Sequence, residues 1–144
     1  MGVKLLYLLD TNIVSEPPKP MPDRKTVTNI ETYSDFSAIS SVVWYELLKG
    51  IYTLPEGSRK DKLMRYACDT VKYVYPIIPY DDHCAALHAD IYARMMKNGT
   101  PVSPFDMQIA ATALANNMIL VTRNVKDFAP IQAEYSLCVE NWFE

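Results

Sequence analysis

Leu5-Leu6-Tyr7-Leu8-Leu9-Asp10-Thr11-Asn12 is the stretch whose reading decides the fold. Five apolar residues run without a break and stop at a carboxylate, a hydroxyl and an amide. A short, continuous apolar run bounded in this way reads as a strand buried on both faces, as in a parallel sheet. The polar triplet then stands at the strand's C-terminal edge, where open α/β sheets bind their ligands. Asp, Thr and Asn are also good helix N-caps. On the triplet alone, capping and ligand binding are equally supported.

Outward from this stretch the chain alternates strand and helix. Ile13–Glu16 reads as a helical turn, halted by Pro17, Pro18, Pro20 and Pro22 in a surface loop. A sparse stripe of Val27 and Ile30 predicts a helix over Asp23–Tyr33. Phe36–Ser40 reads as the second strand. Ser40 or Ser41 then caps a helix to Tyr52 with Val42, Val43, Leu47, Leu48 and Ile51 at helical spacing. Ser58 is expected to cap the next helix, with Leu63, Met64, Ala67, Cys68, Val71 and Val74 on one buried face. A third strand lies within Tyr73–Ile78. Asp81 or Asp82 opens a long helix to Lys97, packed through Ala85, Ala86, Ala89, Ile91 and Ala93. Asn98-Gly99-Thr100-Pro101 stops it. Ser103 caps and Pro104 begins a largely buried helix. Met118–Thr122 and Leu137–Val139 complete the strands. This order argues for one α/β domain over residues 1–144, with a largely parallel sheet and helices on both faces.

Composition narrows the function classes. The 144 residues carry a formal net charge of −3, which argues against a strongly basic nucleic-acid-binding surface. It does not exclude a nuclease, because metal-binding carboxylates themselves lower net charge. Cys68, Cys84 and Cys138 are three widely spaced cysteines without zinc spacing, read as buried thiols of a reduced, cytoplasmic protein. Neither a signal peptide nor a membrane-length apolar run is read.

Four acids share a context. Asp10 follows strand one, Glu46 lies in the helix after strand two, Asp106 opens the helix before strand four, and Asp127 lies just beyond strand four, with Asn124 nearer the strand end. Asp106 reaches the common sheet edge only if its preceding loop returns there. Converging carboxylates repel unless a cation sits among them, and oxygen ligands select hard ions such as Mg²⁺ or Mn²⁺. Such ions suit phosphodiester hydrolysis by an activated water. Singly, each acid has a plainer reading: Glu46 as a solvated helix residue, Asp106 as a first-turn acid worth about 0.3–1 kcal/mol against the helix dipole, Asp127 as a turn residue. Those readings do not explain why acids recur beside strand edges.

Other chemistries are poorly supported. His83 and His88 are five residues apart on one helix and do not share a face. No Gly-x-Ser-x-Gly nucleophile setting and no Gly-rich phosphate loop occur. Tyr75, Tyr80 and Tyr92 read as core or interface residues before base-stacking ones.

Four segments in order resemble the PIN-domain ribonucleases, and among them the VapC-type toxins of toxin–antitoxin modules. They are Leu8–Asn12, Ser40–Leu47 with Gly50, Pro104–Ala111 and Leu120–Phe128, with Val139–Trp142 similar to the family's ending. The resemblance implies a three-layer α/β/α fold around a central, largely parallel sheet. It implies Mg²⁺- or Mn²⁺-dependent endoribonuclease activity, with Asp10, Glu46 and Asp106 as core acids and Asp10 and Asp106 as metal ligands. The fourth acid is assigned to Asp127, with Asn124 as its polar neighbour and rival. Thr11, Asn12 and Thr122 are supporting residues, and Arg123, Lys126 and Lys97 a patch for RNA. A VapB-type antitoxin, a homodimer, and promoter DNA reached only through the antitoxin are the implied partners. The competing readings are a non-catalytic α/β binding module whose acids only cap helices, and a PIN-like nuclease acting on DNA.

Overall fold

The computed structural model describes residues 4–144. Its centre is β1 (Tyr7–Leu9), whose Leu8 and Leu9 are fully buried. The strand is shorter than the apolar run, with Leu5 and Leu6 leading into it. β2 (Ser37–Ser40) pairs with β1 in parallel, Leu8 opposite Ala38. On the other side lies β4 (Ile119–Val121), Leu8 opposite Leu120. β3 (Ile77–Ile78) and β5 (Val139–Glu140) form the edges, giving the order β3-β2-β1-β4-β5 with every pairing parallel. The last strand starts two residues later than its sequence suggests, because Leu137 turns into the core while Val139 and Glu140 reach the β4 ladder.

This order winds outward from β1 to β3, then jumps back past β1 to β4. The β1/β4 boundary is therefore a topological switch point, where the connections leave for opposite faces and a crevice opens at the carboxyl ends. Asp10 and Thr122 immediately follow the two strands that flank it.

The helices follow from local chemistry. α1 (Thr11–Val14) is capped by Asp10 itself and not by Thr11 or Asn12, with the Asp10 carboxylate accepting from Thr11 N–H. α2 (Arg24–Tyr33) is capped by Asp23, and α3 (Ser41–Tyr52) by Ser40, whose hydroxyl accepts from Val43 N–H. α4 (Ser58–Arg65) starts after Gly57, which makes no side-chain cap, so Ser58 is its first residue and not its cap. The chain then widens into a π-turn over Tyr66–Val71 before α5 (Lys72–Val74). The wider turn changes the periodicity, leaving Ala67, Val71 and Tyr75 buried and rotating Cys68 and Val74 outward.

α6 (Asp82–Asn98) is capped by Asp81 and ends on Gly99 in the left-handed region at φ 67°. Its buried side chains are Cys84, Ile91 and Met95. Ala85, Ala86, Ala89 and Ala93, expected to pack, face outward, because the larger Cys84–Leu87–Ile91–Met95 stripe takes the contact with α7 (Pro104–Ala115). α8 (Ala129–Gln132) follows a short 3₁₀ turn over Val125–Phe128. Of the three thiols only Cys84 is buried; Cys68 and Cys138 are exposed. The C-terminus docks through Trp142, whose ring lies 5.3 Å from Tyr7 and 5.6 Å from Tyr33. Among the described residues no helix is long and apolar enough to cross a membrane.

Candidate active site

Asp10 is held rigidly at the end of β1. Its backbone N–H donates to Val121 O at 2.9 Å, continuing the ladder one residue past the strand. One carboxylate oxygen accepts from Thr11 N–H at 2.7 Å and the other from the Thr122 hydroxyl at 2.8 Å. Only 5% of the residue is exposed. Burial pushes its pKa up to about 6 against the two hydrogen bonds that favour its charge, and the nearby negative charges of Asp106 and Asp127 push the same way.

Thr122, fully buried, is the hub of a polar clasp. Besides donating to Asp10, its oxygen accepts from Asn12 Nδ2 at 3.3 Å and Asn124 N–H at 3.1 Å. Asn12 Oδ1 accepts from Arg123 N–H at 3.0 Å. The residues after β1 and β4 are thus tied across the switch point. Replacing Thr122 by Val removes its three hydroxyl bonds, to Asp10, Asn12 and Asn124, at once and leaves buried polar groups unpaired. The expected cost is about 1–3 kcal/mol, read as a lowered midpoint in denaturant melts.

Asp106 reaches the same edge because the Thr100–Ser103 loop returns there. Ser103 Oγ accepts from Asp106 N–H at 3.1 Å, which starts α7 and fixes its first turn. Burial raises the Asp106 pKa, and Asp127 raises it further. Asp106, Asp127, Lys126, Ser103, Pro101 and Pro130 line a hollow of about 340 Å³. Asp127 is exposed, and the 3₁₀ turn carries it into this hollow, whereas Asn124 contributes only backbone contacts to the clasp and the turn. Lys97 is exposed at the end of α6 and does not line the hollow.

The charges of Asp106 and Asp127 therefore act on Asp10, and that of Asp127 on Asp106. Glu46 stands apart: its Oε2 lies 2.8 Å from Lys49 Nζ, one turn along α3. Among the described residues no three His, Cys, Asp or Glu side chains close around a common point. The donor set nevertheless suits a hard divalent ion: it is made of carboxylate oxygens, with the charges of Asp106 and Asp127 acting on Asp10 and that of Asp127 on Asp106.

Two residues were missed in the sequence. Lys49 is detectable only as the i+3 neighbour of Glu46. Glu16 is a buried carboxylate in the proline loop, 2.8 Å from Lys19 Nζ and accepting from Asp23 N–H at 2.7 Å. Burial opposes its charge, yet these partners outweigh burial and hold its pKa below the usual range. It braces the loop that follows α1. The histidines hold no site of their own; His88 Nδ1 is 2.8 Å from the Tyr80 hydroxyl. Tyr75 is buried in the core, so it cannot stack on a base.

Carboxylates thus gather at the switch point of a parallel sheet, the edge at which open α/β sheets bind their ligands. The chain belongs to the PIN domain family, whose pattern it matches over residues 7–132. It is 30% identical over 140 residues to Ribonuclease VapC2 of Rickettsia felis, covering 96% of this chain and 98% of that protein. It is 29% identical over 126 residues to Toxin FitB of Neisseria gonorrhoeae, covering 85% and 91%. Among solved structures, FitAcB from Neisseria gonorrhoeae superposes with a TM-score of 0.87 at 27% identity, covering 96% of this chain and 99% of that one. VapBC2 from Rickettsia felis, bound to a DNA fragment from its promoter, gives 0.79 at 28% identity, covering 96% and 99%.

Proposed function

We propose that the chain is a divalent-metal-dependent endoribonuclease acting as the toxin of a toxin–antitoxin pair. The observation that carries this reading is the buried Asp10 carboxylate at the switch point with the charges of Asp106 and Asp127 acting on it and, among the described residues, no basic side chain bonded to Asp10 or Asp106. The ribonuclease and toxin names of its relatives agree with it.

In this reading Asp10 and Asp106 hold the metal, and Glu46 and Asp127 complete the acidic set. A bound Mg²⁺ or Mn²⁺ supplies a water of lowered pKa and stabilises charge on the phosphate. The chain's own residues do the positioning. Thr122 and Thr11 N–H hold the Asp10 carboxylate in one rotamer, and Asn12 keeps the Thr122 loop in register. Lys126 places a positive charge in the hollow beside Asp106 and Asp127, suited to an RNA phosphate. The Arg123 guanidinium lies 4.3 Å from the Phe143 ring centroid, which orders a second cation at the rim.

A groove of about 590 Å³ between α1, α3 and α4 is floored by Leu47, Ile51, Leu63 and Tyr66 and rimmed by Lys19, Arg59 and Lys62. An amphipathic acidic segment complements it in shape and charge, and we assign the groove to the antitoxin. The solved FitAB and VapBC2 assemblies, both bound to DNA, support an antitoxin partner, and promoter DNA is then reached through that partner. A homodimer is part of the same reading, with exposed Tyr92 and Met96 on α6 as apolar material for the contact.

The test is cleavage of matched single-stranded RNA and DNA oligonucleotides by the purified chain with Mn²⁺, with Mg²⁺, and with chelator. RNA is cut with either metal, and chelator stops it. Cutting of DNA alone, or cutting undiminished by chelator, overturns the reading.

A further inference from the structure

One cation at the switch point is held in place without being neutralised. Arg123 directly follows Thr122, and its N–H donates to Asn12 Oδ1, so its backbone belongs to the clasp that holds Asp10. Its side chain is exposed, with the guanidinium 4.3 Å from the centroid of the Phe143 ring. Among the described residues it makes no ion pair. The Asp23 carboxylate feels its charge, less than it feels the hydrogen bonds from Thr26, and lies beyond ion-pair distance. An aromatic face orders a guanidinium and leaves its charge and its N–H donors free, whereas a carboxylate cancels the charge.

Phe143 is itself fixed by other contacts. β5 pairs with β4, and Glu140 O accepts from Thr122 N–H at 2.9 Å. Trp142 is buried, and its carbonyl accepts from Thr26 Oγ1 at 3.3 Å and from Asn29 Nδ2 at 3.1 Å. Phe143 N–H donates to Asn141 Oδ1 at 2.9 Å. The tail is therefore docked without the arginine, and the stack is not what holds it. Lys126 lines the acidic hollow and Arg123 does not, so the two cations stand at different points of the edge.

We propose that Phe143 is a positioning residue for RNA: its ring holds the Arg123 guanidinium as a clamp on a backbone phosphate outside the acidic hollow. This rests on the ribonuclease reading above and adds a residue of the C-terminal tail to it. RNA carries a charge at every nucleotide, so a strand whose scissile phosphate lies at Asp10 and Asp106 brings further phosphates to the same sheet edge. With a formal net charge of −3 and an acidic site, the chain has no general pull on RNA, and affinity rests on single, well-placed cations. A loose arginine loses its side-chain freedom on binding; one already stacked on a ring loses less.

Steady-state cleavage of an RNA oligonucleotide cut by the wild type, followed over a series of salt concentrations, tests the clamp. Phe143→Ala is expected to raise KM about two- to fivefold and to leave kcat unchanged. Phe143→Leu, apolar but without a π face, does the same, and Phe143→Trp stays near wild type. Arg123→Ala raises KM at least as much and flattens the slope of log(kcat/KM) against log salt by about 0.7, one phosphate contact on a single strand. With Arg123 already replaced, Phe143→Ala adds nothing. A wild-type KM in Phe143→Leu overturns the proposal, because packing alone then suffices. A loss in kcat alone, or an equal rise in KM in the Arg123→Ala background, shows a ring that only supports the fold and overturns it too. If the wild type cuts no RNA, the ribonuclease reading falls and the clamp with it. Cleavage by the wild type with an unchanged KM in Phe143→Ala removes the clamp alone.

Discussion

Asp106→Asn is expected to cut RNA cleavage by at least about 10²- to 10³-fold and to leave the protein folded. That range is what removing one group aimed at developing charge costs in a preorganised site. Asn keeps the size of the side chain, and the backbone N–H of Asp106 still donates to the Ser103 hydroxyl. The fold therefore loses only the attraction of a first-turn acid for the helix dipole, about 0.3–1 kcal/mol. Relief of repulsion from Asp127 offsets part of this. The measurement is a cleavage rate on one RNA substrate beside a thermal melt. Retained cleavage in a folded variant would remove Asp106 from the chemistry, and the site with it.

The second large effect is on stability. Without divalent ions, the contribution of Asp10 falls by up to about 3 kcal/mol as pH rises from about 4 to about 6. Its folded pKa is about 6, raised chiefly by burial, whereas an unfolded aspartate titrates near 3.9. Between those values the folded chain holds a proton that the unfolded chain has lost, so stability decreases with pH. The stabilising contribution is complete below the unfolded pKa and gone above the folded one. Glu16, Asp23 and Asp81 have lowered pKa values and act in the opposite sense, losing their stabilisation as pH falls. The wild type therefore shows the sum, and Asp10→Asn isolates the part due to Asp10. Urea melts of both chains at pH 4, 5, 6 and 7 should show the variant gaining on the wild type across the window. Mg²⁺ should narrow the gap, because it binds the ionised folded site; saturation at 100 times Kd is worth about 2.7 kcal/mol. A pH-independent difference between the two chains would show that Asp10 does not titrate in this range.

Local sequence carried most of the fold because its signals here are short-range. An apolar run ending in Asp10-Thr11-Asn12 marks a buried strand and its edge. Asp23, Ser40, Asp81 and Ser103 mark helix starts because each side chain must accept from an N–H two or three residues on. Where the signal was cumulative it misled. The alanines of α6 looked like packing material, but Cys84, Ile91 and Met95 took the buried stripe. A regular helical period was expected through Val74, and the π-turn at Tyr66–Val71 broke it. That turn also presents the Tyr66 hydroxyl to Val14 O at 2.6 Å, a contact 52 residues apart that no local pattern predicts.

The same division runs through the site. From the sequence alone came four acids beside strand edges, the family resemblance, and the open rivalry between Asn124 and Asp127. Residue type and short-range order suffice for that much, since both are written along the chain. The tertiary structure decided which of them meet. It returned the loop before Asp106 to the sheet edge, carried Asp127 into the hollow beside it, and gave Asn124 a backbone bond to Thr122. It also set Asp10 as cap and buried carboxylate together, and bonded Glu46 to Lys49. Proximity, burial and charge coupling arise only when segments distant in the chain pack together, and they set the Asp10 pKa and the state of Glu46.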